Sequence, residues 1–183
     1  MDYYVIAVDP SVTNNINFSW INFKECKWLD LTQPISLKPH KAIDISFNGK
    51  SVDLPDFVYV GRLTIISETL RDIIEANQED VEFIPVNMIT RDQTVTMYVL
   101  HFLFSIDCID KNESDYDLLA RIFIQNIRKL ALRKNLINAE IFTPEDTGLI
   151  LISENLKKLI KENCHGLRFF HSNEYNQDLL GQF

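Results

Sequence analysis

The sequence predicts an α+β fold: a mixed β-sheet with two helices from a repeated strand-helix-strand unit, in a single compact domain. Three observations lead to this prediction: an internal repeat, an apolar run at the N-terminus, and alternating apolar residues in several segments. A chain of 183 residues can bury one such core, or at most two half-domains that share it. We expect an N-terminal strand, loops and the start of a hairpin in 1–53, and the core in 54–183.

The internal repeat consists of two phrases of equal length. The phrase "LTIISETLRDIIEANQEDVEFI" recurs later as "LILISENLKKLIKENCHGLRFF", and the two align without a gap. The alignment places Ser67 on Ser153 and matches apolar positions on both sides of the serine. The two copies extend over 63–86 and 149–172.

Each copy predicts a strand, a capped helix and a second strand. Ser67 and Ser153 stand where an N-cap hydroxyl accepts a hydrogen bond from a first-turn amide. Glu68 and Glu154 follow them and face the positive end of the helix dipole. Apolar residues then recur at spacings of three and four, which indicates one apolar stripe along each helix. Such a unit buries its helix against a sheet.

The remaining segments predict further strands. "YYVIAV" indicates a buried N-terminal strand, and "AIDISFNGKSVDL" a hairpin that turns at Asn48-Gly49. "TVTMYVLHFLFSIDCI" is typical of a central strand, although a buried helix has the same pattern. "DLLARIFIQNIRKLALRKNLI" suits either a helix or strands, and we favour strands with a turn near Lys134-Asn135.

The charge balance and the cysteines limit which functions and which cellular compartment the sequence favours. Lys and Arg number 18 against 26 Asp and Glu, a net charge of −8 that opposes general binding to nucleic acid or anionic lipid. A basic protein partner suits this balance, and so does a protein that is simply kept soluble by its charge. Three distant cysteines indicate reduced thiols. With no signal-peptide pattern and no apolar run of membrane-spanning length, we expect a cytoplasmic protein.

The sequence fits no known catalytic or cofactor-binding pattern. The glycines are too far apart for a nucleotide-binding loop, and no serine lies in a G-x-S-x-G context. Cys164, His165 and His171 gather in "CHGLRFFH", but zinc usually needs four ligands in closely spaced pairs. The basic run "RKLALRK" lacks the interleaved aromatic residues that stack on single-stranded nucleic acid. We expect no cofactor, no metal and no enzymatic activity.

The strongest candidate site is an acidic segment, "DCIDKNESDYD". It contains five carboxylates: Asp107, Asp110, Glu113, Asp115 and Asp117. Three interpretations stay open: a solvated loop, a surface that receives a basic protein, and a metal-dependent hydrolase site completed by His165 or His171. Acidic surfaces accelerate the capture of basic partners through long-range attraction, and we take these five residues as the candidate partner-binding set.

Three segments of this sequence resemble a known family. "LPDFVYVGRLTIISETLRDIIEANQEDVEFIPV", "YVLHFLFSIDCID" and "IFTPEDTGLILISENLKKLIKENCHGLRF" are similar, in that order, to the bacterial polymorphic-toxin immunity family numbered eleven. The resemblance covers about 54–171 and follows hydrophobic runs around the Leu-Pro-Asp-Phe, Ser-Glu and Asp-Cys positions. It carries no catalytic residues.

The resemblance implies an immunity protein of contact-dependent bacterial competition. Such a protein would bind a cognate secreted antibacterial toxin, of the polymorphic or type VI effector kind, and neutralise it by stoichiometric inhibition. We expect the toxin domain to be basic and to act in the cytoplasm. The alternatives are the metal-dependent hydrolase and a ligand-sensing or adaptor domain.

Overall fold

The structure is a computed structural model that describes most of the chain. The described residues are 1–13, 16–26, 29–31, 34–37, 42–50, 54–120 and 122–177. β-Sheet dominates them, accompanied by three helices. The helices are α1 (Pro10–Thr13), α2 (Glu68–Glu75) and α3 (Glu154–Asn163). Two of them were predicted, whereas α1 spans a single turn and is too short to show a periodic pattern.

Twelve strands are present in the described residues. In chain order they are β1 (Tyr3–Val8), β2 (Phe18–Trp20), β3 (Ile43–Phe47), β4 (Phe57–Val60), β5 (Leu63–Ile66), β6 (Val81–Ile89), β7 (Thr94–Phe102), β8 (Asp115–Leu119), β9 (Phe123–Lys129), β10 (Ile141–Phe142), β11 (Leu151–Ser153) and β12 (Leu167–His171). They form a six-stranded, a four-stranded and a two-stranded sheet.

The chain divides into two compact units. One comprises Val8–Leu103 and Ile160–Leu167, and the other comprises Met1–Ala7, Phe104–Leu159 and Arg168–Phe183. The single domain expected from the sequence stays a prediction.

The first unit contains the six-stranded sheet, in the order β2-β3-β6-β7-β5-β4. The sheet is mixed because β3 and β6 are parallel while the other neighbours are antiparallel. β7 lies between β6 and β5, as predicted for a central strand, and Val99 at its middle is fully buried. Ile43, Ile45 and Phe47 alternate inward along β3. The second arm of the predicted hairpin, at 51–53, lies outside the described residues.

Helix α2 belongs to this unit and begins at the predicted cap. Ser67 Oγ accepts a hydrogen bond from the Leu70 amide at 3.2 Å, with Ser67 in an extended conformation. Leu70 and Ile74 are buried on one face, so the predicted apolar stripe is confirmed. Removing such a side chain from water contributes about 1.5–3 kcal/mol.

The second unit contains the four-stranded sheet, in the order β10-β11-β1-β12. β1 is the predicted N-terminal strand, and it pairs antiparallel with β11. Tyr3 of β1 packs edge-on against Phe142 of β10, with ring centroids 5.5 Å apart, in the core of this unit. Helix α3 begins at its predicted cap, where Ser153 Oγ accepts from the Leu156 amide at 3.1 Å.

The two-stranded sheet, β8 with β9, is referred to below as the ribbon. Strands rather than a helix therefore form 117–119 and 123–129 of the stretch "DLLARIFIQNIRK", as favoured from the sequence. Between the two strands the Ile122 amide donates to the Leu119 carbonyl at 3.2 Å and Ala120 has a φ of 53°, which closes a turn. The predicted turn near Lys134-Asn135 is instead a short 3-10 helix, Lys134–Leu136, which follows the ribbon.

Both copies of the repeated phrase contain a strand, a helix and a strand. These are β5, α2 and β6 in the first copy, and β11, α3 and β12 in the second. The two strands of a copy do not pair with each other, because β7 lies between β5 and β6, and β1 lies between β11 and β12. A common origin of the copies stays a prediction.

Candidate partner-binding surface

The five predicted acidic residues lie along one segment that leads into the ribbon. Asp107, Asp110 and Glu113 precede it, and Asp115 and Asp117 stand in β8. All but Asp110 are exposed, and Asp110 is half-buried. The segment is therefore at the surface, where a partner can reach it.

Arg128 in β9 binds two of these carboxylates. Its Nη2 lies 2.6 Å from Asp115 Oδ1 and 3.1 Å from Asp117 Oδ1, and its Nε donates to Asp115 Oδ2 at 3.0 Å. The contact with Asp115 is thus bidentate, the geometry in which guanidinium and carboxylate fit best. The Arg128 guanidinium lowers the pKa of both carboxyls, and Asn126 adds a hydrogen bond to Asp117 at 3.0 Å.

A shift of register allows one arginine to reach both aspartates. Asp115 is opposite Lys129, but Asp117 is opposite Gln125, so β9 has two more residues than β8 in this interval. Asn126 lies in this longer stretch of β9. Its φ of 49° is a left-handed conformation that asparagine tolerates better than most residues.

The other acidic residues also have local partners. Arg133 Nη2 lies 2.9 Å from Asp107 Oδ1, and Lys129 Nζ lies 3.7 Å from Glu113 Oε2. Asp110 Oδ1 accepts from the Asn112 amide at 3.0 Å and shapes the turn before β8. Exposed ion pairs of this kind contribute little to folding stability, but they hold side chains in place.

The acidic segment and the basic run "RKLALRK" therefore lie side by side. Sequence spacing alone does not predict this proximity, because pairing across a ribbon depends on the register of its strands. Four of the five carboxylates form ion pairs with Arg128, Lys129 or Arg133. The surface is consequently one of mixed charge rather than uniformly negative.

The sequence did not predict a second feature of the ribbon, an exposed apolar end. Leu118, Leu119, Ile122 and Phe123 are 52, 54, 69 and 40% exposed; we call these four residues the ribbon tip. Leu118 and Ile122 are four residues apart. This spacing predicts a buried apolar face of a helix, not exposed residues at a turn. The sequence predicts no turn beside these four residues, so it offers no signal for their exposure.

The predicted cysteine and histidine group has other local roles. His165 Nδ1 lies 2.7 Å from Asp56 Oδ2, and that carboxylate also accepts from the Ser67 hydroxyl. His171 stacks edge-on against Tyr4. Burial raises the pKa of Cys164 to about 12, which disfavours the thiolate. The Ser67 hydroxyl donates to the Asp56 carboxylate and accepts from the Leu70 amide, so it has the capping role predicted from the sequence.

The match to known proteins decides the family. The Immunity protein family (Imm11) matches residues 13–173, which is most of the 183-residue chain. This chain belongs to the Imm11 immunity protein family. The resemblance noted over 54–171 is thereby confirmed, and the match extends it towards the N-terminus. No curated protein matches the chain.

The match includes both helices α2 and α3 and the whole ribbon of this Imm11 protein. Membership indicates an immunity protein directed against a toxin. Among the described residues, no group of three His, Cys, Asp or Glu side chains is arranged to hold a metal ion. Within the same residues, no helix has the length and apolar character needed to cross a membrane.

Proposed function

We propose that this Imm11 protein binds a cognate secreted antibacterial toxin one to one and neutralises it without catalysis. The observation that carries the proposal is the family match over 13–173. The whole chain would act as one immunity domain in the cytoplasm, since an inhibitor must meet the toxin where the toxin acts. The toxin domain would belong to a polymorphic or type VI effector system of bacterial competition.

We place the toxin-facing surface on the acidic segment: Asp107, Asp110, Glu113, Asp115 and Asp117. All but Asp110 are exposed and form ion pairs, which supports this, because side chains already held in position lose little entropy when a partner binds. The net charge of −8 supports a basic partner, whose approach it would accelerate at low salt.

We assign a scaffold role to the two strand-helix-strand copies. In the first copy the N-cap Ser67 bonds to the carboxylate of Asp56, and in the second Ser153 bonds to that of Glu140. The same contact in both copies supports an origin by duplication. Specificity would then reside in the unrepeated parts of the chain.

A calorimetric titration tests the proposal. The probe is the protein encoded by the neighbouring gene, titrated at about 50 and 200 mM salt. We expect one-to-one binding that weakens with salt and abolishes the toxicity of the probe. Absence of binding would reject the proposed function, and a tightly bound divalent ion in the purified protein would favour the hydrolase hypothesis instead.

Charge variants test the surface separately. Asp110→Asn with Glu113→Gln removes two charges from the acidic segment, and Asp92→Asn with Glu79→Gln removes two exposed charges from the other unit. We expect slower association and a weaker salt dependence for the first pair only. Equal effects from both pairs would show that net charge, not this surface, governs the binding.

A further inference from the structure

The ribbon is anchored on one strand and exposed at its end. Ile124 and Ile127 of β9 are 4 and 2% exposed and belong to the core of their unit. Leu118 of the ribbon tip is opposite Ile124, and the other three tip residues lie beyond these anchors. In the register, Leu119 is opposite Phe123, so two exposed apolar side chains stand next to each other on one face.

The turn keeps the tip in shape without burying it. The hydrogen bond from the Ile122 amide to the Leu119 carbonyl closes the turn, and Ile122 itself is 69% exposed. Four large apolar side chains within six positions are an unusual exposure for a surface turn. Below the tip, the bidentate contact between Arg128 and Asp115 holds the two strands together.

The segment that adjoins β9 carries two exposed carboxylates. The Ile124 amide donates to the Asp146 carbonyl at 2.7 Å, which places the chain around Asp146 along β9. Glu145 and Asp146 are both exposed, and neither forms an ion pair within the described part of the chain. Unlike Asp115 and Asp117, which share Arg128, these two carboxylates add negative charge to the segment that adjoins β9.

We infer that the ribbon tip enters the toxin and occupies an apolar cleft bordered by Lys or Arg side chains. This inference rests on the proposed function and names the part of the immunity protein that carries the binding energy. Interfaces concentrate that energy in a few apolar anchors at the centre, surrounded by a polar rim. The tip supplies the anchors, and Glu145, Asp146 and the acidic segment supply the rim.

Two tip variants and one control test the inference. Leu119→Asn and Ile122→Asn alter the tip, and Leu136→Asn alters an apolar residue of the same unit that is 46% exposed outside the ribbon. The probe is the protein encoded by the neighbouring gene. We expect each tip variant to raise Kd by about thirtyfold or more, the loss typical of a hot-spot residue, and the control to change it less than about threefold.

Three readouts make the outcome decisive. Thermal unfolding midpoints within about 2 °C of the wild type establish that the variants are folded. If the wild type binds the probe and both tip variants bind it equally well, the inference is wrong while the proposed function stands. If the wild type does not bind, the proposed function fails and the inference fails with it.

Other occupants of the tip would give distinct results. A wild-type dimer that both tip variants convert to monomers, measured by sedimentation velocity, would assign the tip to self-association and overturn the inference. Flotation of the wild type but not of Ile122→Asn with vesicles of phosphatidylcholine and phosphatidylglycerol would assign it to a lipid surface and also overturn it. We expect a monomer that stays free of these vesicles.

Discussion

Ser67 and Asp56 are joined twice: the serine hydroxyl donates to the aspartate carboxylate, and the serine amide donates to the aspartate carbonyl at 3.0 Å. The same hydroxyl caps α2 by accepting from Leu70. Asp56 is 8% exposed, so the contact ties the start of a helix to a buried carboxylate. Ser153 has the same two bonds to Glu140.

Replacing Ser67 by alanine should lower the free energy of unfolding by about 1–3 kcal/mol. The change removes a helix cap and leaves a buried carboxylate with one donor fewer. Urea unfolding measures the loss. Thr69→Ala removes an exposed hydroxyl from the same helix and should change the free energy by less than about 0.5 kcal/mol. Equal losses of unfolding free energy in the two variants would show that the Ser67 contacts do not stabilise the protein.

Replacing Gly166 by alanine should destabilise the protein by about 3–5 kcal/mol. Gly166 has a φ of +75°, and a Cβ there would lie 2.2 Å from Pro55 Cβ. Strain of the left-handed backbone and the steric clash both contribute. Gly61→Ala is the matched control, because Gly61 has a φ of +61° with nothing within 4 Å of an added Cβ.

Gly61→Ala should therefore lower the free energy of unfolding only through the strain of the left-handed backbone, about 1–2 kcal/mol. Thermal and urea unfolding of both variants give the comparison. A loss at Gly166 no larger than at Gly61 would mean that the segment carrying Pro55 moves aside without penalty.

Replacing Arg128 by glutamine should raise the pKa of Asp115 and Asp117 towards the ordinary value of 3.8. In the wild type the arginine lowers both values, so its stabilisation is present above about pH 3.8 and is lost as pH falls through the lowered pKa. Ribbon contacts should consequently be insensitive to pH between 7 and 5.

Carboxyl chemical shifts followed by NMR titration measure these values. Lys129→Gln is the control, since Lys129 is paired with Glu113 and should leave the titration of Asp115 and Asp117 nearly unchanged. Identical titration curves in the wild type and in Arg128→Gln would contradict the ion pairs.

Cys164 should react slowly with iodoacetamide although it is only half-buried. Burial, assisted by the charge of Asp56, raises its pKa to about 12, so roughly one molecule in 10⁴ carries the thiolate at pH 8. The rate of alkylation, measured by mass spectrometry, should rise about tenfold per pH unit from 7 to 10. A plateau near pH 9, as in free cysteine, would contradict the raised pKa.

Local features were readable from the sequence, and long-range pairings were not. The N-cap serines and the apolar stripe of α2 depend on residues within a few positions, so spacing alone predicts them. Asp56 stands 11 positions before Ser67, and only the folded chain brings the two together. No sequence pattern identifies Asp56 as the hydrogen-bond partner of Ser67.

The candidate surface shows the same division. Exposure of the acidic segment was predictable from its composition, but its pairing with Arg128 depends on the register between β8 and β9. The ribbon tip was missed because its residues are apolar, and an apolar residue is assigned to the core unless a turn is known to lie beside it.

The uneven anchoring of the ribbon affects how this protein can evolve. β9 contributes Ile124 and Ile127 to the core, whereas β8 has no fully buried side chain. Tyr116 of β8 is half-buried against the core, but substitutions at the four exposed positions of β8 carry little folding penalty and are not opposed by selection for stability. If the partner protein changes, the exposed residues of β8 can be substituted while the rest of the sequence stays unchanged.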